Sequence, residues 1–350
     1  MTEDEKWMRR CLQLARCGET GAPPNPMVGA VIVFGDRIIG EGYHAHCGEG
    51  HAEVNAFHAV RHPELLESAC LYVSLEPCAH FGRTPPCAKL IIEKGVKNVV
   101  VGMVDPFAKV NGQGIRMLRE AGVKVTTGIL ESECRQLNKK FIVCQTHGRP
   151  FITLKWAQSA DGLMAPAVAG CSPIFVSSPC TLIRVHHLRA SHQAVLVGRR
   201  TAETDNPSLT LRYWAGTQPL RVAFDRYGVL ESRLHLFDGC VPTLIVGEKN
   251  PPERNCRATY DFLQIDYSRA TLPQLLQGLF VRGVQSLLVE GGRELLQAFI
   301  DEGLWDEAHV EVGEHVFHDG LTAPKIPSDR ISSVEKLFGH TVRHYQNNTF

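Results

Sequence analysis

Apolar positions along the chain recur at two spacings, and the spacing switches back and forth from end to end. Over residues 4–17, Trp7, Met8, Cys11, Leu12, Leu14 and Ala15 share one face at helical spacing, which predicts an opening amphipathic helix. Residues 27–33 form an apolar run, Gly35 and Asp36 turn the chain, and residues 38–43 follow, so a hairpin is expected. Further along the pattern predicts a helix over 52–60, a buried strand over 71–75, a helix over 87–94 and a strand over 98–103. A helix over 115–121, a strand over 123–127 and one linking helix over 131–144 complete the first half. His147, Gly148, Arg149 and Pro150 break the pattern, and the domain boundary is placed there, giving 1–147 and 148–350. A fresh alternation then begins: a strand over 151–156, a helix over 179–190, and strands over 194–197, 220–224 and 243–246. A helix over 273–282, a strand over 286–290, a helix over 293–302 and a strand over 308–312 close it. Ser178 before Pro179 suits the start of the 179–190 helix, a capping hydroxyl followed by proline at the first helical position. Strands alternating with helices in both halves predict α/β layers.

Length and charge narrow the class. A chain of 350 residues can bury two separate cores. Lysine plus arginine and aspartate plus glutamate number 37 each, so the formal charge is zero, which argues against an extended nucleic-acid or membrane footprint. No apolar run approaches the roughly 20 residues needed to cross a bilayer. The opening MTEDEKWMRR lacks the apolar core of a signal peptide. Twelve cysteines are scattered through a large chain rather than framing a small one, so a reduced, cytoplasmic protein is expected.

The candidate chemistry of the first half lies between His51 and Cys87. His51-Ala52-Glu53 opens the stretch, and Cys78 and Cys87, each preceded by proline, close it. One imidazole and two thiolates fill three corners of a tetrahedral zinc site and leave the fourth for water, which is the pattern of catalysis rather than of structure. Glu53 would sit beside that open corner, taking a proton from water and passing it to a leaving amine. Zinc nucleobase deaminases write this as H-x-E followed by P-C-x-x-C, whereas here eight residues, 79–86, separate the cysteines. Either cysteine alone reads as a small buried hydrophobe; the combination with H-A-E and two prolines points to a site. Cys47 is a rival ligand four residues before His51, set aside because the glycines around it suit a mobile loop. Both metal-bearing segments fall at helix starts, where the dipole favours thiolate over thiol.

In the second half, Glu290-Gly291-Gly292-Arg293 turns a strand into a helix. Glycines there let a phosphate approach the backbone, and the free amides of the helix start would bind it. No G-x-G-x-x-G is present, so a dinucleotide fingerprint of the Rossmann kind is absent, and a bare turn competes with the phosphate reading.

Three motifs, PNPMVGAVIV (24–33), HAEVNA (51–56) and SLEPCAHFGRTPPC (74–87), resemble the deaminase domain of the bifunctional riboflavin-biosynthesis deaminase/reductases, and the eight-residue spacer is that family's own form. FITLKWAQSADG (151–162), GRRTAETDNPSLTLR (198–212) and LVEGGRELLQAF (288–299) resemble the family's reductase domain. The resemblance implies a cytidine-deaminase-like three-layer domain followed by a dihydrofolate-reductase-like α/β domain. It implies zinc-dependent hydrolytic deamination of 2,5-diamino-6-(5-phosphoribosylamino)pyrimidin-4-one. NADPH reduction of the ribosyl group would follow, giving 5-amino-6-(5-phosphoribitylamino)uracil. By the same resemblance His51, Cys78 and Cys87 hold zinc, Glu53 shuttles the proton, and Asn25, His44, His80 and Arg83 meet the substrate. Lys155 and Asp205 are the candidates for polarising the reacting centre of the reductase, the alternatives being a strand-edge charge for Lys155 and a cap or Asx-turn before Asn206-Pro207 for Asp205. Thr201, Asp205 and the turn Gly291, Gly292, Arg293, Glu294, Leu295, Leu296, Gln297 and Ala298 hold NADPH, while Arg189, Leu209, Arg212 and Glu290 contact substrate or cofactor. The stretch 164–175 departs from the family, with Pro173 and Phe175 where related reductases often carry serine and tryptophan. Expected partners are the small phosphoribosylated pyrimidine and further copies of the chain, with no nucleic acid and no membrane. Two rivals share part of this evidence. One is a base deaminase acting within RNA, which the absence of a basic stripe opposes; the other is a protein whose second domain only supports assembly.

Overall fold

No position of GAVIVF at residues 29–34 is polar, so this strand must be covered on both faces, and the first half of the chain is built around it. The computed structural model describes residues 1–79, 85–106, 111–167, 176–249 and 259–347, and it divides into two units, Met1–His147 and Gly148–Phe350. The first unit runs α1 (Glu3–Arg16), β1 (Gly29–Phe34), β2 (Arg37–Tyr43), α2 (Ala52–His58), β3 (Cys70–Leu75) and α3 (Cys87–Glu93). It continues with β4 (Asn98–Met103), α4 (Gln113–Glu120), β5 (Lys124–Thr127), α5 (Glu131–Leu137) and α6 (Lys139–His147). The sheet order is β2-β1-β3-β4-β5; β1 pairs antiparallel with both neighbours, and β3, β4 and β5 run parallel.

Because side chains alternate across a strand, β1 sends Ala30 and Ile32 to one face and Val31 and Val33 to the other. The first pair packs with Ala56 of α2, Ala88 and Ile91 of α3 and Leu118 of α4. The second packs with Met8 and Cys11 of α1, Cys134 of α5 and Phe141 of α6. Helices on both faces of one sheet make the three layers that the resemblance implied. The single helix expected over 131–144 is instead broken at Asn138. Its side chain accepts from the Met27 N–H at 2.8 Å and donates to the Met27 carbonyl at 3.0 Å, stitching the α5–α6 corner to the segment entering β1.

The second unit runs β6 (Phe151–Gln158), β7 (Leu163–Pro166), α7 (Pro179–Ala190), β8 (Ala194–Val197), α8 (Arg199–Asp205), β9 (Leu220–Phe224), β10 (Thr243–Gly247) and β11 (Asp261–Gln264). Then come α9 (Thr271–Val281), β12 (Ser286–Gly291), α10 (Arg293–Asp301), β13 (Glu307–Val312), β14 (Gly320–Thr322), β15 (Ile331–Leu337) and β16 (His340–Gln346). Nine strands form one sheet in the order β11-β10-β9-β8-β12-β6-β13-β16-β15, parallel from β11 to β13 and antiparallel at the β16 and β15 end. Ile152, Leu154, Leu287, Val289 and Val310 pack on Leu275 and Leu279 of α9 and on Leu296 and Phe299 of α10. The opposite face is apolar under Val195, Val197 and Leu288. It turns polar towards β6 and β13, where Thr153, Lys155, His309 and Glu311 alternate with the core residues. The hydrophobic pattern carries no sign of α8 or β15. Only Ala202 of α8 is buried, and β15 is exposed at every position but its last, so neither has an apolar face to declare it.

Candidate active sites

Two helix starts and a strand end bring the metal donors together. His51 caps α2 in an extended conformation, Cys87 is the first residue of α3, and Cys78 follows three residues after the end of β3. The His51, Cys78 and Cys87 ligand atoms all lie within 4.8 Å of one another. His51 Nδ1 stands 3.6 Å from Cys78 Sγ and 3.3 Å from Cys87 Sγ, and the Cys87 N–H donates to Cys78 Sγ at 3.3 Å. An imidazole nitrogen and two sulfurs facing one point, with no fourth donor in the group among the described residues, is the donor set of an open zinc site. The two thiols share one proton: Cys87 holds it, pushed up by its pairing with Cys78 and by burial, and that donated bond holds Cys78 down to about 4. Glu53, in the first turn of α2, is 3% exposed, and burial pushes its carboxyl up to about 7. Cys47, the rival donor, is exposed and outside the cluster.

Around this centre the predicted substrate residues divide. His44 is buried with its ring edge-on to that of His51, the centroids 5.4 Å apart. Its Nδ1 lies 3.1 Å from the Gly50 carbonyl and therefore carries the proton. Its Nε2 then accepts from Asn25 Nδ2 at 3.0 Å. Both ring nitrogens are thus engaged within the protein, and among the described residues the Asn25 carbonyl oxygen is the end of its amide not used by His44. His80 and Arg83 lie outside the described residues, as do Pro173 and Phe175.

Glu76 is a residue that motif reading passed over. Set between β3 and Pro77-Cys78, it is 4% exposed and accepts from four backbone amides: Asp105 at 3.2 Å, Gly112 at 2.8 Å, Gly114 at 2.9 Å and Ile115 at 3.3 Å. It thereby ties the segment carrying Cys78 to the start of α4, whose first amides have no partner within the helix. Gly114 permits the contact, because a Cβ there would stand 1.9 Å from the Pro77 carbonyl oxygen. A charged residue ending an otherwise buried strand was the available signal.

In the second unit the predicted residues gather at the carboxyl ends of parallel strands, where open α/β sheets bind ligands. Arg189 of α7 grips Glu290 with two 2.6 Å bonds and donates to the Thr210 carbonyl at 3.2 Å. Burial alone would push Glu290 up, but Arg189 and then Lys155 outweigh it and hold its carboxyl below the usual range. Lys155 is partly buried, and desolvation lowers its ammonium against the pull of Glu290 and Glu311. Thr201 packs against the Gly291–Gly292 turn: a Cβ on Gly291 would stand 2.8 Å from its Cγ2, and Gly292 has φ of +77°. Among the described residues no side chain caps α10, which leaves the amides of its first turn for an anion such as a cofactor phosphate. Past that turn the predicted set spreads out. Leu296 is in the core, and the Gln297 amide is bonded to the Lys325 backbone. Asp205 is exposed at the end of α8, and Leu209, with φ of +53°, turns its side chain into the core, which leaves only its backbone for a ligand. Arg212 is exposed, and its N–H donates to His186 Nδ1 at 3.0 Å. Buried His186, unremarked in the sequence, therefore pins the 209–212 loop to α7; desolvation first, then Arg189 and Arg212, lower it to about 4.

Residues 1–103 match the family model of the cytidine and deoxycytidylate deaminase zinc-binding region, and residues 150–316 match the RibD C-terminal domain. The chain is 39% identical over 331 residues to the riboflavin biosynthesis protein RibD of Bacillus amyloliquefaciens, covering 93% of this chain and 88% of that one. It is 35% identical to RibD of Escherichia coli K12, over 89% and 87%. Its structure is similar to the Thermotoga maritima diaminohydroxyphosphoribosylaminopyrimidine deaminase/5-amino-6-(5-phosphoribosylamino)uracil reductase, with a TM-score of 0.87, 33% identity and 98% of each chain covered. No helix of the described residues is long and apolar enough to cross a membrane.

Proposed function

The chain belongs to the RibD family, bifunctional deaminase/reductases of riboflavin biosynthesis with a zinc-binding deaminase domain and a reductase domain, and from this premise we propose a division of labour between named residues. Residues 1–147 deaminate the diaminohydroxyphosphoribosylaminopyrimidine, and residues 148–350 reduce 5-amino-6-(5-phosphoribosylamino)uracil with NADPH. The observation that carries the reading is the convergence of His51, Cys78 and Cys87 beside buried Glu53.

Zinc, when bound by those three residues, supplies a Lewis acid that brings the ionisation of water towards neutral pH. Glu53 holds a proton at its carboxyl and moves it to the leaving amine, shielded from bulk water by its burial. Asn25, its amide oriented by His44, presents an oxygen acceptor to an N–H of the pyrimidine. In the reductase unit NADPH supplies hydride, and the free amides at the start of α10, with Thr201, seat its phosphate. Arg189, locked to Glu290, orients the 209–212 loop, while Lys155 and Asp205 polarise the double bond to be reduced and supply the proton that its heteroatom takes up as the carbon accepts hydride. The substrate is a small phosphorylated pyrimidine rather than a nucleic acid, in keeping with a formal charge of zero, and the chain works in the cytoplasm as a homo-oligomer.

The test is metal content measured together with turnover. Purified full-length protein should hold about one zinc per chain, release ammonia from the diaminopyrimidine and oxidise NADPH when given the deaminated product. Metal-free protein with undiminished ammonia release would overturn the reading.

A further inference from the structure

Lys155 lies level with His309 in the pairing of β6 with β13, and Glu311 is two residues further along the same face of the second sheet. Glu290 first, and Glu311 after it, favour the Lys155 ammonium against its desolvation, neither of them in a direct ion pair with it among the described residues. They are not equally available. Glu290 has both oxygens bound at 2.6 Å by Arg189, so its charge is matched by a guanidinium. Glu311 is 5% exposed; among the described residues it accepts from Ser177 Oγ at 2.7 Å, and its other oxygen lies 2.8 Å from His340 Nδ1 without a hydrogen bond between them and with no guanidinium on it. Counting charges on this face, Arg189 offsets Glu290, and Lys155 is left with Glu311. The other charged or titratable groups here are His186 of α7, His309 of β13, and His344 of β16, which lies between Arg184 of α7 and Glu335 of β15. Arg184 is itself matched by Glu335 at 2.6 Å.

We propose that Glu311 is the counterion that keeps Lys155 an ammonium in the reductase site, a positioning residue acting through Lys155, with Ser177 holding its carboxylate in place. The inference rests on the reading of Lys155 as a group that polarises the reacting centre. When the carbon accepts hydride, its heteroatom must take up a proton, and a neutral Lys155 amine has none to give. Burial without a paired anion favours that neutral amine, so the partner decides which form is present.

The experiment uses the full-length protein and the deaminated substrate, so the zinc site does not enter the readout. In Glu311→Gln the alkaline limb of the kcat/KM profile for NADPH oxidation should move to lower pH by about 1 to 2 units. In the same variant, without cofactor, cyanate should carbamylate Lys155 at correspondingly lower pH, as followed by mass spectrometry. NADPH binding measured by fluorescence should be unchanged, which reports a folded site. Glu311→Asp should recover part of both shifts, and it supplies the readout if Glu311→Gln does not bind NADPH. An unmoved alkaline limb, or a uniform loss at every pH with unchanged carbamylation, would overturn the proposal. Lys155→Met separates the two ideas: full reduction in that variant removes the premise. Lost reduction there, with an unmoved profile in Glu311→Gln, removes the counterion alone.

Discussion

Replacing Glu53 by glutamine leaves His51, Cys78 and Cys87 untouched and removes only the carboxyl to which proton transfer is assigned in the proposed reaction. Zinc should stay bound at wild-type stoichiometry while deamination falls by about 10²- to 10⁴-fold and reduction is unchanged; metal loss in that variant would show a ligand role instead. Glu290→Gln acts differently, because it leaves Arg189 charged and almost buried, the two side chains being 10% and 9% exposed. The cost should be about 3 to 5 kcal/mol at neutral pH. Glu290 is held below its ordinary value of 4.5, so its contribution is complete above that pH and is lost as the pH falls through the lower folded value. The stability gap between wild type and variant should therefore close in acid, as read by urea unfolding of the second unit through buried Trp156 and Trp305. The grouping of His51, Cys78 and Cys87 was legible because a histidine and two proline-led cysteines form a recognisable motif wherever they stand. Glu76, His186 and Glu311 were not, since a buried acid or imidazole outside any motif is recognisable only through the partners it meets in the fold, such as Gly114, Arg212 and Ser177.

The elements that carry the metal donors are short, and their placement depends on close backbone approach. Gly114→Ala would put a Cβ against the Pro77 carbonyl oxygen and push the Cys78 segment away from α4. Zinc affinity, measured by competition with a chromogenic chelator, should fall at least tenfold while the reductase rate is unaffected; an unchanged affinity would mean that Glu76 and α4 do not position Cys78. Periodicity found the helices and strands with something apolar to bury, such as α1 with its one apolar face and β1 with two. It ran α5 and α6 together because Asn138 interrupts the helix without interrupting the stripe, its reason for turning being the Met27 backbone. It missed α8, which is polar nearly throughout, and β15, which lies at the sheet edge with almost nothing to bury.

For the molecule as a whole, every donor of the metal group lies in the first unit, and no second group of this kind occurs among the described residues. Stripping the metal with a strong chelator should abolish ammonia release and leave NADPH oxidation with the deaminated product at its full rate. Loss of both would mean that the second unit depends on the metal as well. Two-unit organisation was readable from the break at His147–Pro150 and the renewed alternation after it, because each α/β unit must close its own core. How each sheet is ordered was not, since the crossovers that set β8 beside β12 leave no mark in the local pattern.

The two sulfurs that flank His51 are near enough to share one ion, and therefore near enough to find each other when the ion is gone. A peroxide molecule meeting the stripped pocket can convert the pair to a disulfide, and zinc added afterwards would find no thiolates. Preparations left in air should then regain ammonia release only after a reductant is supplied before the metal, so the order of addition matters as much as the ingredients.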